Sequence, residues 1–202
     1  LALVLWCFSP NILGHGALIT ADIGAASLGI AAGYAFWYWL KTSDWNRAFV
    51  AGVALGLAQL TKLTWLFLFM VWPLLWVAHR WKKRKTAWEG WQLTTVIALG
   101  LMVINLGYEC EGSFQNLGQF QFVSSVLGGV ESNAQMPAGV HNRFAHSWLS
   151  ALRVPLPKNY LMGLDAQKYD FERGWPSYLR GEWADHGWWY YYLYALAIKV
   201  PL

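Results

Sequence analysis

Residues 48–78, AFVAGVALGLAQLTKLTWLFLFMVWPLLWVA, carry a single charge, Lys62. About 20 apolar residues already span a bilayer core, so a run this long is either one tilted helix or two short ones. The flanks decide between them. Lys41 and Arg47 precede the run, and RWKKRK, residues 80–85, follows it. Basic residues concentrate on the cytoplasmic side of membrane helices. Both flanks therefore belong inside, and the run must cross an even number of times. The sequence predicts a helical hairpin, 48–61 going out and 63–78 coming back. The first arm is only about 21 Å long, thin for a full span. That puts Lys62 near the outer surface or in a wet cavity.

The composition fits a membrane protein. Hydrophobic residues make up 56% of the 202 and charged residues only 13%, about half the globular norm. The chain begins inside an apolar run at Leu1 and stops at Leu202 just after another has begun. It reads as an internal fragment of a longer protein, with no signal peptide visible. The net charge of +4 is concentrated in RWKKRK. Beside an apolar helix that run is a topology signal or a lipid-headgroup contact, not a nucleic-acid interface. Cys7 and Cys110 form neither a disulfide framework nor a metal-ligand spacing and read as two buried thiols.

Outward from the hairpin, further membrane segments follow. Residues 1–9 look like a helix end, SPNILGHG breaks the chain, and residues 23–40 form the next apolar helix, closed by Trp37, Tyr38 and Trp39 as an interfacial belt. KTSDWNR is a short polar loop, and residues 91–108 cross outward again. The fold class expected is all-α, a polytopic membrane helical bundle spanning residues 1–108 with a long extracytoplasmic loop at 109–187. Residues 188–202 start the next membrane segment. A structureless loop of that length is unusual, so it should pack as a cap. Within it Asn142 could cap a short amphipathic helix, RFAHSWLSALR.

Tracking the sides gathers the isolated charges. With 41–47 and 79–90 inside, residues 10–22, Lys62 and 109–187 all lie outside. Asp22, His15, Lys62, Glu109 and Glu111 could then share one extracytoplasmic pocket. Asp22 could cap the 23–40 helix at its positive dipole end or, with Thr20 as the cap instead, act as a membrane-edge acid. Lys62 could snorkel to the headgroups or bind a lipid phosphate as a compact point charge, helped by Thr61 and Thr64. His15 suits an interfacial histidine as well as a ligand. Glu109 and Glu111 flank Cys110 at a helix end, where a solvated rim and a substrate contact are both open. The chain has no GxxxxGK[ST], no HExxH and no GxSxG, and nothing in it would bind a nucleotide cofactor.

The succession SPNILGHGALITADIGAA, a helix ending FWYWL, then AGVALGLAQLTKLTW resembles the polytopic glycosyltransferases of the GT-C fold. The similarity is to family 39, the dolichyl-phosphate-mannose protein mannosyltransferases and bacterial aminoarabinose transferases. LPKNYLMGLDAQ and SYLRGEWADHGWWYYYLYALAIKVPL are similar to the outer loop and returning helix of bacterial members. The resemblance implies an integral protein of a bacterial inner membrane with its active site outside. Such an enzyme takes a polyprenyl-phosphate-linked sugar donor from the membrane lipid and passes the sugar to a protein or glycolipid acceptor. Asp22 matches the family's acidic residue at the outer helix end, and Lys62 matches the Lys of a GLxxLTK motif that faces the carrier phosphate. The family's principal catalytic acid belongs upstream of Leu1. The resemblance fixes no cofactor, and a divalent metal stays open. A secondary transporter is the rival from another class, since intramembrane Asp and Lys also mark ion paths. A non-catalytic lipid-binding member of the same fold is the other.

Overall fold

The computed structural model describes residues 8, 12–14, 21–81, 87–129, 141–185 and 187–199. His15, Thr20, Cys7 and nearly all of the expected 1–9 helix lie outside them. The chain forms two compact units, Leu1–Ser113 with Pro155–Pro157, and Phe114–Val154 with Lys158–Leu202.

Among its described residues, the first unit is built on four long α-helices. α1 spans Asp22–Thr42 and α2 spans Trp45–Thr61. A 3-10 turn at Leu63–Phe67 leads into α3, Leu68–Arg80, and α4 follows at Ala87–Gly107. Among the described residues, three stretches are long and apolar enough to cross a membrane: Asp22–Thr42, Leu63–Arg80 and Trp88–Gly107. The 17 residues of α2 are shorter, about 25 Å. The expected 41–47 loop contracts to Ser43–Asp44. Ser43 takes a left-handed φ of 49° and its N–H closes α1 on the Trp39 carbonyl.

Helix α2 packs against both α1 and α4 because one of its faces is small. A Cβ on Gly52 would lie 2.9 Å from the Val96 carbonyl oxygen, and one on Gly56 would lie 2.9 Å from that of Gly100. Without side chains there, the backbones of α2 and α4 approach closely, the small-xxx-small packing of membrane helices. On the α1 side, Phe36 stacks on Trp72 at 4.2 Å and 13°. Trp39 corrects one expectation. It does not join the exposed belt of Trp37 and Tyr38 but is 1% exposed, and its indole N–H donates to Gln92.

The second unit covers most of the region expected as a loop, and it is ordered around Phe120, Phe122 and Tyr160. Two bridges, Asn116 to Arg153 and Phe122 to His141, tie its strands of irregular chain together. Its helices are α5, Ser125–Gly128, α6, Lys158–Arg173, and α7, Tyr191–Lys199. A β-hairpin pairs β1, Ser177–Leu179, with β2, Glu182–Ala184. Arg180 and Gly181 both have positive φ, 55° and 93°, the turn that matches strand twist in a two-residue hairpin. The protein is mostly helical, compatible with the all-α expectation, and this short hairpin is added to the helices. The amphipathic helix expected from Asn142 does not form. The chain there makes turns and a short 3-10 segment at Trp148–Ala151, capped by Ser147. Asn142 instead donates to the carbonyls of Leu117 and Phe120, both at 2.8 Å, and accepts from the Phe144 N–H. Its amide is used up in closing the loop.

Candidate functional site

The start of α1 and the end of α2 share one end of the first unit, since the two helices are joined by the Ser43–Asp44 turn and run antiparallel. Asp22 is the first residue of α1, after Ala21 at the cap position, and α1 has no side-chain cap bond. Asp22 thus stands in the first turn, at the positive dipole end of α1, and not at the cap position itself. Its carboxylate instead accepts from Lys62 Nζ at 2.8 Å, across 40 residues of sequence. The side chains are 45% exposed for Lys62 and 50% for Asp22, so water and a ligand can reach both.

Lys62 sits at a break in the backbone. It is extended, with φ −157° and ψ 127°, between α2 and the 3-10 turn. Its N–H reaches the Ala58 carbonyl only at 3.4 Å, while the Thr61 hydroxyl donates to that same oxygen at 2.6 Å. The hydroxyl competes for the acceptor that would continue the helix. Helix α3 then returns toward the Ser43 end. Where the chain breaks, the Lys62 ammonium meets the start of α1.

Glu109 and Glu111 lie on the turn after α4, at the same end, because Gly107 of α4 packs on Leu60. Both are exposed. Glu109 and Cys110 take left-handed φ values of 54° and 58°, and Cys110 N–H closes on the Asn105 carbonyl at 2.7 Å. Asn105 also donates to Pro155 at 3.1 Å and accepts from the Ser113 hydroxyl. Cys110 is exposed, not buried as the sequence reading expected. The structure thus brings Asp22 and Lys62 into contact and puts Glu109 and Glu111 at their end of the bundle. His15 lies outside the described residues. Among those residues, no group of three His, Cys, Asp or Glu side chains could hold a metal ion.

The opposite end holds a polar cluster that the sequence reading missed. Arg80 pairs with Glu89 at 2.8 Å, with side chains only 11% and 9% exposed. Arg80 also donates to the Ser43 hydroxyl, and Gln92 links the Ser43 carbonyl at 2.9 Å to the Trp39 indole at 3.0 Å. Arg80 had been absorbed into the basic run as a topology signal. Nothing local marks Arg80 as a cation that turns inward.

The second unit uses carboxylates on backbone. Asp165, fully buried, accepts from the N–H groups of Val123 at 2.6 Å and Ser124 at 3.2 Å. Glu172, two turns further along α6, accepts from Ser125 at 2.6 Å and Val126 at 3.3 Å. Burial pushes the Glu172 carboxyl up, but the bonds from Ser125 and Val126, with Lys168 nearby, outweigh it and hold the group below its ordinary 4.5. Their spacing on one helix face was the signal available. A cleft of about 470 Å³ lies between the end of α6, the hairpin and the start of α7, with Asp170, Trp175, Tyr178, Trp188 and Tyr191 in its wall. That is a small-molecule size.

Compared with family models, curated proteins and solved structures, the chain matches none.

Proposed function

We propose that this chain is part of a membrane glycosyltransferase of GT-C-like architecture. It moves a sugar from a polyprenyl-phosphate carrier to an acceptor hydroxyl at the extracytoplasmic face. The observation that carries the reading is the 2.8 Å contact between Asp22 and Lys62, two charges that end apolar segments and meet at one end of the bundle. The sequence order that resembles family 39 supplies the chemistry. Arg80, where the basic run begins, lies at the other end of the bundle and supports the orientation.

In this reaction the bond from the sugar C1 to the carrier phosphate oxygen breaks and the acceptor oxygen bonds to C1 from the opposite face. The acceptor proton passes to a general base, which the resemblance places before Leu1. Lys62 offsets the negative charge that builds on the departing phosphate, a role suited to a compact ammonium. Asp22 holds that ammonium in place before the donor arrives. Because both side chains are half-exposed, exchanging the carboxylate for a phosphate oxygen requires no opening of a packed core.

The test is made in the full-length protein. Asp22→Asn and Lys62→Ala should each lower sugar transfer on the order of 100-fold, as loss of one charge-stabilising group does, with membrane expression unchanged. Wild-type turnover in either variant would end the assignment. Reconstituted solute flux without a glycosyl product would favour the transporter instead.

A further inference from the structure

The break at Lys62 is bracketed by two contacts that involve neither the ammonium nor its carboxylate partner. Gln59, one turn back on α2, is 1% exposed, and its side-chain amide donates to the Trp65 carbonyl at 2.8 Å. That bond spans the break, from the last regular turn of α2 to the 3-10 turn beyond Lys62. The Trp65 N–H in turn donates to the Lys62 carbonyl at 3.1 Å. Backbone groups released by a break in an apolar segment must find partners inside the protein, and Gln59 supplies one. The second contact fixes the Trp65 ring. A Cβ on Gly29 would lie 2.1 Å from Trp65 Cζ2, so only glycine on α1 admits the indole there. Gly29 lies on the same helix as Asp22, two turns along it. The segment carrying Lys62 is therefore seated on the helix carrying Asp22.

We propose that Gln59 and the Trp65–Gly29 contact are a positioning device that sets where the Lys62 ammonium stands relative to Asp22. Gln59 and Trp65 act through Lys62 and are positioning residues, not groups that touch substrate. The inference deepens the donor-phosphate reading and rests on it only for its effect on transfer.

Acylation of individual lysines by a water-soluble reagent, read by mass spectrometry on the full-length protein in detergent, tests the device without any reaction. Lys41, near the far end of α1, is the internal reference. Gln59→Met keeps the side-chain length and removes the donor. It should raise labelling of Lys62 over Lys41 several-fold, toward the ratio in Asp22→Asn. Gly29→Ala should do the same, and adding Trp65→Phe to it should bring the ratio back toward wild type by restoring space. Transfer should fall on the order of 10- to 100-fold in Gln59→Met, as for a misplaced group, with KM for the donor rising less than kcat falls. An unchanged ratio in Gln59→Met, or in Gly29→Ala should the first variant not fold, overturns the device. Labelling shifts as expected combined with normal transfer in Lys62→Ala would leave the device standing and overturn the phosphate role.

Discussion

The two ends of the helical bundle each hold an ion pair at 2.8 Å, and the pairs differ in almost everything else. Lys62 and Asp22 are half-exposed, whereas Arg80 and Glu89 are nearly sealed. At equal separation the attraction grows as the local dielectric falls, but so does the cost of leaving either charge alone. The sealed pair is also tied to Ser43, at the α1–α2 turn, and through Ser43 and Gln92 to Trp39. It clamps the ends of α1, α3 and α4. The half-exposed pair stands open to water at both of its charged side chains. Equal distance therefore says little about role; burial and the surrounding bonds separate a clamp from an accessible pair.

Removing one partner should separate the two ends most clearly. Arg80→Ala or Glu89→Ala leaves a buried charge alone and should cost about 3–5 kcal/mol, read as a lower unfolding midpoint in detergent. Lys62→Ala should cost about 1 kcal/mol or less, as exposed pairs do. Equal losses at both ends would break the comparison.

The second unit repeats the contrast with carboxylates that hold backbone. Asp165→Ala strands the N–H groups of Val123 and Ser124 in a buried place. It should destabilise that unit by about 2 kcal/mol, measured by proteolysis near residues 123–128. Glu172→Gln keeps the acceptor and should cost less.

The smallest effect expected is a pH dependence from Glu172. Its folded value lies below the ordinary 4.5, so between the two values the unfolded chain binds more protons than the folded one. The contribution is full above about 4.5 and is lost as pH falls through the folded value. Wild type should loosen around residues 125–126 as pH drops through that window, and Glu172→Gln should lose this component. Hydrogen exchange at Ser125 and Val126 checks it.

Much of the bundle was legible because apolar runs long enough to cross a membrane have few other uses. The length of the apolar run and its basic flanks together predict the hairpin, and side counting puts Asp22 and Lys62 at one end. Trp39 was misread because an aromatic at a helix end looks the same whether it faces headgroups or packs inward on Gln92. Asn142 was misread because a capping residue is recognised by type, while its amide was already engaged by Leu117 and Phe120. Of the Arg80–Glu89 pair, Arg80 opens a basic run and Glu89 lies in the first turn of the helix after it, so neither stands out as one of a pair. The Arg180–Gly181 turn was available from its residues and was passed over.

By itself the sequence determined which apolar runs of the first unit form long helices and that Asp22 and Lys62 share one end of them, since hydropathy and flanking charge act locally and along the chain. Tertiary structure alone decided which of those charges meet. Gly52 and Gly56 bring α4 against α2, Gly29 seats Trp65 on α1, and the break at Lys62 sends its side chain to Asp22. Such pairings depend on backbone approach and on competition for hydrogen-bond partners between segments far apart in sequence. Local residue patterns do not encode them one at a time.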